Sequence, residues 1–141
     1  MLTSNPKDWR ILLVDDEPDN LAVLEMVLTY HGAACVTERS AKVALERLQN
    51  ESFDLALVDI RMPVMSGQDL LKAVRDLPDF NRSDMVLIAI TAHAMTGDRE
   101  RMIAAGFNGY ISKPVEVSTI MDTIRQIIES YLDQRNLMMG D

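Results

Sequence analysis

Apolar residues along this chain fall into two alternating patterns. Short runs rich in aliphatic and β-branched residues occupy Ile11–Val14, Cys35–Thr37, Phe53–Val58, Met85–Ile90 and Tyr110–Ile111. Three of them contain the unbroken apolar stretches ILLV, LALV and MVLIAI, as strands do when a parallel sheet is covered on both faces. Between them lie segments of helical length and period. Asp19–His31 enters behind Pro18 and stops at Gly32, residues that start and end helices. Ala41–Gln49 has Ser40 as its N-cap, and Gly67–Asp76 has Ser66 as cap with Asp69 three residues on, in a capping-box position. Gly97–Ala105 follows Thr96 and ends at Gly106. The last helix runs from about Val117 to Tyr131, with Ile120, Ile124, Ile127, Ile128 and Tyr131 in one stripe.

Five strands alternating with five helices predict a (βα)5 chain. Parallel neighbours need right-handed helical crossovers, which place helices on both sheet faces. The expected architecture is a doubly wound α/β sandwich of the flavodoxin-like kind, a five-stranded parallel sheet in the order 2-1-3-4-5. One domain is expected over residues 8–132, with residues 1–7 and 133–141 as short flexible ends.

Composition narrows the function classes. The 141 residues carry 22 acidic and 14 basic side chains, a formal charge of −8. Such a chain is repelled by phosphate backbones and anionic lipid, so neither a nucleic acid nor a membrane is an expected partner. Cys35 is the single cysteine, which removes an intramolecular disulfide and a cysteine-rich metal site. The N-terminal stretch MLTSNPKDWR lacks a signal-peptide core, and no apolar run approaches the ~20 residues of a spanning helix. A cytoplasmic location is therefore expected.

In open α/β sheets, sites form beyond the carboxyl ends of the strands. The first strand ends in Asp15-Asp16-Glu17, the third in Asp59 and the fourth in Thr91, while the fifth leads into Lys113-Pro114. Each has a bland reading: acidic residues before a helix compensate its dipole, a lone Asp or Thr after a strand is a turn residue, and a lone Lys is a solvated charge. Their convergence on one sheet edge is harder to assign to chance. Clustered carboxylates repel one another, and a hard divalent cation relieves that repulsion. A cation, a lysine and a hydroxyl around a carboxylate nucleophile are enough for phosphoryl transfer, which depends on positioning and charge stabilisation. The chain has no G-x-x-x-x-G-K-[ST] loop and no G-x-G-x-x-G after the first strand, so a P-loop NTPase is excluded and a dinucleotide fold unsupported. Asp59-Ile60-Arg61 also breaks the D-x-D pattern of haloacid-dehalogenase phosphatases.

Over residues 8–132 the chain resembles the receiver domain of two-component response regulators, through ILLVDDEPDN, LALVDIRMPVMSG, IAITAHA and GYISKP. The resemblance implies that Asp59 accepts a phosphoryl group from a phosphohistidine of a sensor histidine kinase or histidine phosphotransfer protein. It implies Mg2+, or Mn2+ in its place, on Asp15, Asp16, Asp59 and the backbone carbonyl of Arg61. Thr91 and Lys113 then contact the phosphoryl group, and Thr91 with Tyr110 forms a switch that reports it. A cis bond before Pro114 follows the same pattern. The implied role is a phosphoacceptor switch, not an enzyme with an external substrate, acting through protein contacts as a monomer or a weak phosphorylation-dependent dimer.

Two other readings stay open: a receiver excised from a hybrid histidine kinase, and a phosphorylation-independent docking module. A phosphatase with external substrates would need a specificity pocket that the sequence does not reveal. About ten residues follow the last helix, too few for an effector domain, which points to a stand-alone regulator or phosphorelay shuttle. His93 and Arg61 are candidates for tuning hydrolysis or are plain rim residues, and Ala92 leaves the pocket mouth open. Cys35 reads as a small core residue. Met62, Met65, Met95 and Met102 are candidate interface residues among ten methionines. The first helix is apolar nearly all round: Leu21, Leu24 and Leu28 face the sheet, leaving Val23 and Met26 on a flank expected to dock the phosphodonor.

Overall fold

The structure is a computed structural model that describes residues 2–92 and 95–139. Five parallel strands, β1 (Arg10–Val14), β2 (Ala34–Glu38), β3 (Leu55–Asp59), β4 (Val86–Thr91) and β5 (Gly109–Ser112), form one sheet in the order β2-β1-β3-β4-β5. This is the expected order. The helices are α1 (Pro18–Tyr30), α2 (Ala41–Asn50), α3 (Gly67–Arg75), the single turn α4 (Phe80–Ser83), α5 (Asp98–Ala105) and α6 (Ile120–Met139).

The unbroken apolar strands divide their side chains between two cores, because successive residues point to opposite faces. Ile11, Leu13, Leu55, Leu57, Ile88 and Ile90 pack under α1 and α6, against Leu21, Leu24, Leu28, Ile120, Ile124 and Ile128. Leu12, Val14, Ala56, Val58, Leu87 and Ala89 pack under α2 and α3, against Ala44, Leu48, Leu70, Leu71 and Val74. Caps fall where the sequence places them. Ser40 accepts a hydrogen bond from the Val43 amide, and Ser66 and Asp69 close a reciprocal capping box.

Several expectations need correction. The last helix starts at Ile120, not Val117, and continues to Met139 past the expected flexible end at residue 133. No Pro or Gly interrupts residues 132–139, Leu132 packs on the core edge, and Arg135 pairs with Asp84 and donates to the Tyr131 hydroxyl. The N-terminal end is also held. Leu2 packs on the core, Pro6–Asp8 forms a 3-10 turn, and the Trp9 indole donates to the Thr3 carbonyl at 2.7 Å. Phe53 precedes β3 instead of opening it. Met62 is buried in the core, not at an interface, whereas Met95 is exposed.

Candidate functional site

β1 pairs with both β2 and β3, so the chain reverses its winding at β1 and a crevice opens beyond the carboxyl ends of β1 and β3. Asp15 follows β1 directly and Asp59 is the last residue of β3. Both are buried, at 2% and 5% exposure. In each, Oδ1 accepts a backbone hydrogen bond from two residues on: Glu17 N–H to Asp15 at 2.9 Å, and Arg61 N–H to Asp59 at 3.2 Å. Their Oδ2 atoms face Lys113, whose Nζ lies 2.8 Å from Asp15 and 3.5 Å from Asp59. Asp16, half-buried, completes a group of three carboxylates with oxygens all within 4.8 Å of one another.

The electrostatics follow from burial. Removal from water, then the Asp15 charge, pushes the Asp59 carboxyl above its ordinary value, against the opposing pull of Lys113 and the Arg61 amide. Burial also works against the Lys113 ammonium. Its hydrogen bond to Asp15 and the charges of Asp15 and Asp59 outweigh that and raise it.

β5 carries Lys113 to the crevice. The Lys113 amide donates to the Thr91 carbonyl at 2.8 Å, and the Lys113–Pro114 bond is cis. Thr91 closes β4 at 4% exposure, one residue beyond Ile90, the register partner of Asp59. Beside it lies a cavity of about 510 Å3 lined by Thr91, Tyr110, Arg61, Met62, Asp98 and Met102 among others. Tyr110, opposite Ala89 on β5, is half-buried, and its enclosed hydroxyl has no hydrogen-bond partner among the described residues. The Arg61 side chain stands exposed at the rim, as does Ala92; His93 lies outside the described residues.

Some of the site was not foreseen. Gly67 reads in sequence only as a helix start, yet a Cβ there would meet the Asp59 carbonyl oxygen at 2.5 Å. Its bare Cα lets α3 close against the strand end. Val64 has φ of +70°, within a tight turn closed by Met65 N–H to the Pro63 carbonyl at 2.8 Å, and is fully exposed. Nothing in the apolar pattern marks that backbone, which is strained for a β-branched residue.

Three hard carboxylate oxygens converging at a partly open crevice suit a small divalent cation such as Mg2+. Residues 11–125 match the family described as the response regulator receiver domain. The chain belongs to that family. This receiver is 36% identical over 107 residues to the sensor protein GacS of Pseudomonas syringae, across 75% of this chain but only 12% of that protein's length. It is 34% identical to the polar-differentiation response regulator DivK of Brucella ovis, across 86% of this chain and 94% of that one. It superposes with a TM-score of 0.75 and 30% identity on the receiver domain of the Pseudomonas aeruginosa sensor histidine kinase PA1611, across 86% of this chain and 98% of that one. That structure holds a magnesium ion in its active-site cleft. Family membership supports a phosphoacceptor switch over an enzyme acting on external substrates. No helix among the described residues is long and apolar enough to cross a membrane.

Proposed function

We propose that Asp59 accepts a phosphoryl group from a phosphohistidine on a sensor histidine kinase or histidine phosphotransfer protein. The observation that carries this reading is the Asp15–Asp16–Asp59 cluster with the Lys113 ammonium between its two buried members. An ionised Asp59 oxygen attacks phosphorus as the P–N bond breaks, and the imidazole leaves with the electron pair and takes up a proton. Asp15, Asp16, Asp59 and the Arg61 carbonyl would hold Mg2+, with Mn2+ as a substitute. Such an ion supplies charge neutralisation as phosphoryl oxygens approach the carboxylates. Lys113 pairs with a phosphoryl oxygen once its tie to Asp59 is given up, and the Thr91 hydroxyl donates to another.

The donor docks against the exposed flank of α1, where Val23 and Met26 are 37% and 62% exposed. Output passes through protein contacts of α5, β5 and α6, with Thr91 and Tyr110 as the switch. The likeness to a sensor protein, a sensor histidine kinase receiver and a response regulator supports a histidine-kinase relay as the setting. The test is incubation with a small acyl-phosphate donor, with Mg2+ or with EDTA, read by intact mass. The reading expects one added phosphoryl group with Mg2+ and little with EDTA. No gain under either condition contradicts it.

A further inference from the structure

A second cavity, of about 680 Å3, lies beyond the amino ends of β3 and β4, at the opposite end of the sheet from the carboxylate crevice. Its floor is apolar. Leu48, Phe53, Met85 and Val86 are all buried there, with Leu2 and Leu132 at the sides. Leu48 belongs to the core under α2 and Leu132 packs on the core under α6, so the cavity sits where both cores open beneath the sheet. A volume of this size with an apolar floor and a few polar groups is the usual form of a small-molecule site.

The charged groups of its wall are not equivalent. Each carboxylate already accepts a bond: Asp84 pairs with Arg135 and accepts from Tyr131, Glu51 pairs with Arg10 and Arg47, and Asp54 accepts from the Arg10 amide at 2.7 Å. Arg82 differs. Its NH1 donates to the Gln49 carbonyl at 2.7 Å, its Nε is enclosed without a partner, and no carboxylate among the described residues pairs with it. An enclosed donor that lacks an acceptor is costly to the fold. With NH1 engaged, the Nε edge of the guanidinium is the one left to a ligand, and that edge matches the two oxygens of a carboxylate.

We propose that this cavity binds a small organic anion, a single carboxylate on an aliphatic or aromatic body. The body lies on Phe53, Met85 and Leu132. The carboxylate meets Arg82, whose side chain turns its Nε edge toward the cavity and so gives the enclosed donor an acceptor. Glu51, Asp54 and Asp84 share the wall, which sets a ligand of one negative charge above a phosphate or a dianion. A neutral ligand of the same shape would leave Arg82 as it stands. The site is remote from Asp59 and does not depend on the phosphoacceptor reading.

Leu2 also gives the wall a reporter, because its neighbour Thr3 accepts a bond from the indole of Trp9, the single tryptophan. The experiment titrates the whole chain with octanoate, 4-phenylbutyrate and 1-octanol, followed by Trp9 fluorescence and by backbone amide NMR. Both acids should saturate, with shifts centred on Leu2, Thr3, Phe53, Asp54 and Met85. Octanoate should bind at least about tenfold tighter than octanol, as one charge-assisted hydrogen bond gives, and hexanoate should bind about fourfold more weakly for each methylene removed. Arg82→Gln should erase the advantage of octanoate over octanol, and Arg82→Lys, which keeps the charge without the fork, should retain part of it. The parent's preference for the acid over the alcohol decides the matter even where Arg82→Gln fails to fold. Octanol bound as tightly as octanoate overturns the proposal. So do shifts that never saturate, shifts centred instead on the cavity beside Thr91, and an Arg82→Gln variant that binds octanoate as the parent does.

Discussion

Asp16 and Asp15 stand side by side in sequence but in different electrostatic positions. Asp15 is buried, bonded to the Glu17 amide and paired with Lys113, so removing its charge would strand a buried ammonium. The Asp16 carboxylate makes no hydrogen bond or ion pair among the described residues and adds only repulsion to its two neighbours. Asp16→Asn should therefore raise the melting temperature of the metal-free protein by about 2–4 °C, roughly 1 kcal/mol for a chain of this size. It should also cancel the rise that Mg2+ gives the parent, about 2.7 kcal/mol at a hundredfold excess over Kd. Thermal melts of both proteins with and without the cation check this, and a variant that Mg2+ stabilises as much as the parent would remove Asp16 from the site. The site carboxylates, Thr91 and Lys113 were legible because each ends or follows an apolar run at the sheet edge where ligands bind. Gly67 and Val64 were not. Close approach of a backbone and a left-handed turn depend on where the loop is folded back, which hydrophobic periodicity does not encode.

At the scale of elements, Gly67 joins α3 to the site. Gly67→Ala forces a Cβ to within 2.5 Å of the Asp59 carbonyl and 2.9 Å of the Ile60 Cα, both backbone atoms with little room to give. The overpacking should cost about 1–3 kcal/mol in denaturant unfolding and slow labelling of Asp59. Unchanged stability and labelling would show that the helix is not held so close. α1 presents the opposite case, an element whose free face is the feature of interest. Val23→Lys with Met26→Lys should slow transfer from a phosphohistidine protein and spare labelling by a small acyl phosphate, because the face lies outside the crevice. Equal slowing with both donors would indicate damage to the fold. Strands and long helices were legible from period alone, but their ends were less so. β4 starts at Val86, one residue after the expected Met85, and α6 runs eight residues past Tyr131 because Arg135 and Asp84 hold it there.

On the scale of the whole molecule, two polar clusters sit at opposite ends of the sheet: the acidic crevice at the carboxyl ends, and Tyr131, Arg135 and Asp84 below the start of β4. The Tyr131 hydroxyl donates to the Asp84 carboxylate at 2.9 Å, and burial, then that bond and the Asp84 charge, raise its pKa above the ordinary tyrosine value of 10.0. A raised folded pKa means that this contribution to stability is complete below about pH 10 and is lost as pH rises through the folded value. Melting temperature should therefore fall more steeply above pH 10 in the parent than in Tyr131→Phe, which starts lower but has no phenol to ionise. Parallel curves would contradict the assignment. Such a pairing was beyond sequence reading, since residues 84 and 131 meet only through the packing of α6 across the sheet.

The central claim, that Asp59 is the phosphoacceptor, is tested most directly by labelling the parent and Asp59→Asn side by side with an acyl-phosphate donor and Mg2+, read by intact mass. The account predicts a gain of one phosphoryl group in the parent and none in Asp59→Asn, with Asp15 and Asp16 left unmodified in both. Full labelling of Asp59→Asn would contradict it.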